Sequence, residues 1–171
     1  LFPFTVHEFV TMGRYAHSLF FRNNNGSAKK AVDRAPEMTG VGSFSGRIIS
    51  TLSGGERQKV LIAAALAQEP EILLLDEPAT FLDPGHQVEI NDIINRLNID
   101  ENVTVISATH DINSAVQSSH RILALKNGRL VFNGATDEIL DAGEVKKIFD
   151  KEFIMINDPR IPRPVVLPQK D

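Results

Sequence analysis

Ser53-Gly54-Gly55 stands directly before Glu56–Ala67, a run without proline or glycine. Amide N–H groups at the start of such a helix, with no Cβ over them, make an anion site that the helix dipole strengthens. Taken alone, the tripeptide is equally a turn and a helix cap. Further on, Leu74-Leu75-Asp76-Glu77-Pro78 closes an apolar run. A carboxylate at the C-terminal end of a parallel strand lies where α/β sheets bind ligands, and Asp76 there can hold Mg²⁺ through water. Glu77 points differently and can orient or deprotonate an attacking water; the plain alternative is a solvated acidic loop stopped by Pro78. Asp83 reads as the N-cap of a helix that Pro84 begins, a role compatible with a functional one. His110, in Ser107-Ala108-Thr109-His110-Asp111, follows a second apolar run. It is either a surface or capping histidine or a group that stabilises developing phosphate charge.

The elements that would position these groups are legible in the spacing. Thr5-x-x-Glu8 is a capping box ahead of Val6, Phe9, Val10 and Met12, which share a helical face, and the helix should end near Gly13. Asn23 to Ser27 is loop chemistry, and Met38 to Ser53, rich in glycine and serine, predicts short helices joined by loops. Glu56–Ala67 ends apolar nearly all round, as a helix packed on more than one side does, and Pro70 stops it. Ile72–Leu75 predicts a strand covered on both faces in a parallel sheet. Ile90, Ile93, Ile94 and Leu97 repeat at helical spacing, Val103–Ala108 predicts a second buried strand, and Asn127-Gly128 predicts a tight hairpin turn between Arg121–Leu125 and Arg129–Phe132. Strand, helix, strand alternation is an α/β layer architecture. The last dozen residues, with Pro159, Pro162, Pro164 and Pro168, predict an extended tail.

In order and spacing, Leu52-Ser-Gly-Gly-Glu-Arg-Gln58, Ile72-Leu-Leu-Leu-Asp-Glu-Pro78, Phe81-Leu-Asp83 and Ala108-Thr-His-Asp111 resemble the signature, Walker B, D-loop and H-loop of the ABC transporter ATPase family. The resemblance implies an α/β fold: the C-terminal part of a P-loop (RecA-like) ATPase domain with parallel core strands. It divides the chain into a helical subdomain over 1–57, core over 58–158 and tail over 159–171. By resemblance, Ser53, Gly54 and Gly55 contact the γ-phosphate of an ATP held by a second ATPase subunit, with Gln58 of the same helix supporting the ribose side. Asp76 holds the Mg²⁺ shell, Glu77 is the general base, Asp83 communicates across the dimer and His110 is the switch histidine. Pro3-Phe4-Thr5-Val6-x-Glu8, Met12-Gly13-Arg14-Tyr15-x-His17 and Leu82-Asp83-Pro-Gly-His86-Gln87-Val88-Glu89 look like the iron-siderophore, haem and vitamin B12 importer branch. In that branch the helical region docks on a polytopic membrane permease, which implies a cytoplasmic protein peripheral on the inner face of the cell membrane.

One departure stands out. None of the eight lysines follows a glycine, so the Gly-x-x-x-x-Gly-Lys-Ser/Thr loop that cradles β- and γ-phosphates does not occur in these residues; Gly40-Val-Gly-Ser-Phe-Ser-Gly46 lacks the lysine. The opening Leu1-Phe2-Pro3-Phe4 reads as the interior of a longer chain, so the resemblance predicts a fragment inactive by itself. The 171 residues carry 18 Lys+Arg against 22 Asp+Glu, a net charge of -4, leaving no basic field for nucleic acid. No apolar stretch approaches the roughly 20 residues needed to insert across a bilayer. Without cysteine there is neither a disulfide framework nor a thiolate metal site. Two other readings compete with an importer ATPase: a soluble ABC protein acting in DNA repair or translation, and an interaction module without catalysis.

Overall fold

The capping box at the start of the chain is formed in the computed structural model, which describes residues 3–15 and 25–169. The Thr5 hydroxyl accepts from the Glu8 amide at 3.2 Å, and the Glu8 carboxylate accepts from the Thr5 amide at 2.8 Å. Helix α1 then runs Val6–Gly13 and buries Val6 and Val10. Of the stretch read as loop, residues 23 and 24 lie outside the described residues, while residues 25–27 form the first turn of α2, Asn25–Met38. Ala31, Val32 and Ala35 recur at helical spacing and are buried, and that stripe extends the helix past what its small polar start suggests. The glycine- and serine-rich stretch contains two 3₁₀ turns, Gly42–Phe44 and Ile49–Thr51. Between them the chain lies against the start of α1, with Val6 N–H donating to the Arg47 carbonyl at 2.9 Å and His7 N–H to that of Ser45 at 3.0 Å.

Helix α3, Gly54–Leu66, buries Val60, Ile62, Ala63, Ala64 and Leu66, the packing on more than one side that its composition predicted, while Leu61 is exposed. Its C-terminal carbonyls are met by Arg14, which donates to the Ala67 carbonyl at 3.2 Å and pairs with Glu69 at 2.6 Å, as cations do at helix C-termini. Strand β1, Ile72–Asp76, pairs in parallel with β2, Thr104–Ala108, placing Asp76 level with Ala108. The crossover between them is α4, Pro84–Ile99, which turns Ile90, Ile93, Ile94 and Leu97 into the core.

The expectation of strands covered on both faces is met on one face only. Leu73 is buried and Leu75 and Val105 pack against the same core, while Ile72, Leu74 and Ile106 on the opposite face are 56%, 71% and 53% exposed. Alternation explains the difference: adjacent side chains of a strand point to opposite faces, and the helical core lies on the Leu73 side.

Residues 109–171 form a second compact unit. Helix α5 is Ile112–Ser118, and β3, Arg121–Lys126, and β4, Arg129–Ala135, form the predicted hairpin. Asn127 and Gly128 have φ of 51° and 72°, the left-handed pair that a two-residue type I′ turn demands. Short helices α6, Thr136–Ile139, and α7, Ala142–Phe149, follow, and Val116, Ile122 and Ile139 make this unit's core. The proline-rich end is not the extended tail expected: it turns at residues 159–163, with Ile161 N–H donating to the Asp158 carbonyl at 3.1 Å, and then forms β6, Val165–Pro168, which pairs antiparallel with β5, Phe153–Ile156. Asn113 on α5 holds β6 through both backbone groups of Val166, at 2.7 and 3.0 Å.

Candidate functional site

The start of α3 is capped from within. The Ser53 hydroxyl accepts from Glu56 N–H at 3.2 Å, and the Glu56 carboxylate accepts from Ser53 N–H at 2.8 Å. The other Glu56 oxygen receives Arg47 at 2.8 Å. Bonding from the Ser53 amide, then from Arg47, holds the Glu56 carboxyl below its usual range. Arg47 also donates to the Thr51 carbonyl at 3.1 Å and stacks over the Phe44 ring. Ser53 and Gly54 are exposed, Gly55 is buried, and Gln58 sits half-buried in the second turn. The cap takes the Ser53 and Glu56 amides, so what this helix start offers an anion is the positive end of its dipole beside the exposed Gly54.

At the end of β1, Asp76 is exposed and Glu77 half-buried. The chain leaves the strand abruptly, because Glu77 has φ of 47° and Phe81 of 64°. Each departs from ordinary L-residue backbone at a cost on the order of 1–3 kcal/mol, and such departures concentrate at functional turns. Glu77 N–H donates to the Ala108 carbonyl at 2.9 Å, extending the β1–β2 ladder by one bond, and the Thr80 hydroxyl donates to the Glu77 carboxylate at 2.5 Å. Thr80 thus orients the carboxylate next to Asp76. Among the described residues no three His, Cys, Asp or Glu side chains gather as a metal cluster. Asp76 offers a single carboxylate at the strand tip, and Mg²⁺, which keeps several waters and takes oxygens from bound phosphates, fits a donor set that sparse.

Asp83 caps α4, its Oδ1 accepting from His86 N–H at 3.1 Å while Oδ2 meets His86 Nδ1 at 2.5 Å. Bonds from the His86 amide first, then from its ring, hold the Asp83 carboxyl below the usual range. The starts of α3 and α4 abut: Leu82 Cδ2 lies 3.6 Å from where a Gly54 Cβ would stand, and an ion pair joins Lys59 on α3 to Glu89 on α4. Ser53, Gly54, Gly55 and Asp83 are therefore brought together, and Asp76 and Glu77 stand side by side at the end of β1. His110 is exposed and belongs to the second unit, two residues beyond Ala108 along the chain.

Sequence reasoning missed Arg47 and Thr80. Nothing in the spacing of Arg47 announces a partner nine residues on, whereas Thr80, three residues after Glu77 in a proline-initiated turn, carried a readable signal as a local hydroxyl donor.

A family model described as "ABC transporter" matches residues 4–80. The iron(3+)-hydroxamate import ATP-binding protein FhuC of Bacillus subtilis is 41% identical over 163 residues, 95% of this chain and 61% of that protein. The cobalamin import ATP-binding protein BtuD of Halobacterium salinarum is 37% identical over 170 residues, 99% of this chain and 42% of that protein. Among solved structures, an ABC transporter described as metal-chelate type, in an inward-facing conformation, superposes with a TM-score of 0.88 at 27% identity, covering 99% of this chain and 68% of that one. The chain thus spans about three-fifths of the FhuC relative and less of the cobalamin one.

Proposed function

We propose that this chain, which belongs to the ABC transporter ATP-binding family in its siderophore and cobalamin (metal-chelate) importer branch, is the signature-bearing part of a subunit that hydrolyses ATP to drive import of an iron-siderophore, haem or cobalamin-type chelate. The observation that carries the reading is the self-capped start of α3, with Ser53 and Gly54 exposed to solvent. Ser53 and Gly54, at the positive end of the helix dipole, would meet a phosphate that a second copy of the subunit holds. Two copies related by a two-fold axis would each lend their Ser53–Gly55 turn to the other's nucleotide.

Each side chain then has a task. Glu77, oriented by Thr80, takes a proton from the attacking water as general base. Asp76 would hold Mg²⁺, which neutralises charge on the phosphate oxygens when bound. Ser53, Gly54 and Gly55, at the positive end of the α3 dipole, contact the γ-phosphate and stabilise the negative charge that develops there. Asp83 at the start of α4 relays between copies, Gln58 supports the ribose side and His110 stabilises the transferred group. In the same reading, residues 1–57 form the helical subdomain that meets a polytopic permease, 58–158 complete the ATPase core and 159–171 are the closing segment, with the subunit peripheral on the inner face of the cell membrane. No helix among the described residues is long and apolar enough to cross a membrane.

The test is the purified product of the complete reading frame. It should hydrolyse Mg²⁺-ATP and support uptake of a ferric siderophore or cobalamin when reconstituted with its permease; a protein that binds no ATP ends the reading. The 171 residues by themselves, with no Gly-Lys phosphate loop, should bind a fluorescent ATP analogue more weakly than micromolar and show no turnover. Micromolar affinity in equilibrium titration contradicts that expectation.

A further inference from the structure

Gly55 differs from Gly54 in what a side chain would meet. At Gly54 the nearest atom would be a leucine methyl at 3.6 Å, ordinary contact. At Gly55 an added Cβ would lie 2.0 Å from Cδ2, 2.5 Å from Cγ and 2.8 Å from Nε2 of His86. The imidazole therefore rests directly on the Gly55 backbone while its Nδ1 bonds the Asp83 carboxylate at 2.5 Å. The cap of α4 does not require this ring, since Asp83 Oδ1 takes the His86 backbone N–H, which any residue but proline supplies. The His86 side chain is thus surplus to the helix that carries it, and it spans the gap between the two loops. The Lys59–Glu89 pair crosses the same junction, and within the loop that starts α4 Gln87 Nε2 donates to the Leu82 carbonyl at 3.1 Å.

We propose that His86 is a positioning residue: seated on Gly55 and bonded to Asp83, its imidazole ties the turn that starts α3 to the loop that starts α4, so that both move as one piece when two subunits close on ATP. Gly54 stays open for a ligand, and Gly55 is a glycine because the imidazole occupies its Cβ position. The role rests on the functional reading above, but the contact itself does not.

Two measurements on the complete protein separate these. In the first, urea unfolding of a double-mutant cycle, Gly55→Ala lowers the unfolding midpoint when His86 is present and has little effect in the His86→Ala background. An equal loss in both backgrounds overturns the contact, whether or not the protein hydrolyses ATP. In the second, steady-state hydrolysis, His86→Ala lowers kcat about tenfold with KM for ATP nearly unchanged, and His86→Asn, whose amide N–H can still reach Asp83, restores most of the rate. Wild-type kcat in His86→Ala, or no recovery in His86→Asn, overturns the positioning role. Absence of hydrolysis in the unaltered protein refutes the functional reading instead, leaving the unfolding cycle to decide the contact.

Discussion

The start of α3 and the tip of β1 are built to different standards. At Ser53 every support is supplied nearby: a reciprocal cap with Glu56, Arg47 behind Glu56, and His86 against Gly55. At Asp76 the strand is packed on the Leu73 face and open on the Leu74 face, and Glu77 adopts a left-handed backbone, its N–H on the Ala108 carbonyl and the Thr80 hydroxyl on its carboxylate. A group that must present fixed amides to an incoming phosphate benefits from rigidity. A group that must move a proton needs correct orientation, and it tolerates local strain that its surroundings absorb.

The largest effect expected from this contrast is catalytic. Glu77→Gln in the complete protein should lower turnover by about 10²–10⁴-fold while ATP binding persists; single-turnover kinetics beside equilibrium binding read both quantities, and unaltered turnover removes Glu77 from the base role. Next comes the asymmetry of β1 itself. In the 171 residues by themselves, Leu73→Ala should cost about 2–5 kcal/mol of unfolding free energy and Leu74→Ala within about 0.5. Equal losses by urea denaturation would mean that the Leu74 face is covered. Smaller again is the cap: Ser53→Ala should cost about 1 kcal/mol and Ser53→Gly a few tenths, read from the same denaturation curves.

The smallest effect is the pH dependence of these braces. Glu8, Glu56, Asp83 and Glu89 all have carboxyl groups held below their ordinary values of 4.5 for glutamate and 3.8 for aspartate. Their contribution is therefore present above those ordinary values and is lost as pH falls through the lower folded ones. These carboxylates are exposed, so the change should be slight: a flat unfolding midpoint between about pH 7 and 5, then a decline below about 4.5. A midpoint that rises on acidification contradicts the assignment.

Much of this was readable from local rules. The Thr5–Glu8 capping box, the Ser53 cap, the Asp83 cap with Pro84 behind it, the Asn127-Gly128 turn and the Ile90–Leu97 stripe are short-range patterns, and each formed where its spacing placed it. What the sequence hid is long-range. The open face of β1 could not be seen in Ile72–Leu75, because a continuous apolar run looks the same whether one face or two are packed. The start of α2 at Asn25 was concealed by Asn-Gly-Ser, residues that serve a helix's first turn as readily as a loop. The seat of His86 on Gly55 joins residues thirty-one positions apart, beyond any local pattern.

The most direct test of the account is complementation between two inactive subunits of the complete protein, Ser53→Arg and Glu77→Gln. If the turn at Ser53 serves the nucleotide of the other copy, a mixed dimer contains one intact site, from Glu77 of one subunit and Ser53 of the other. Random mixing should then restore about a quarter of wild-type hydrolysis. Recovery near that level is the predicted result; no activity above that of the separate variants, in mixtures shown to exchange subunits, would contradict the shared pocket.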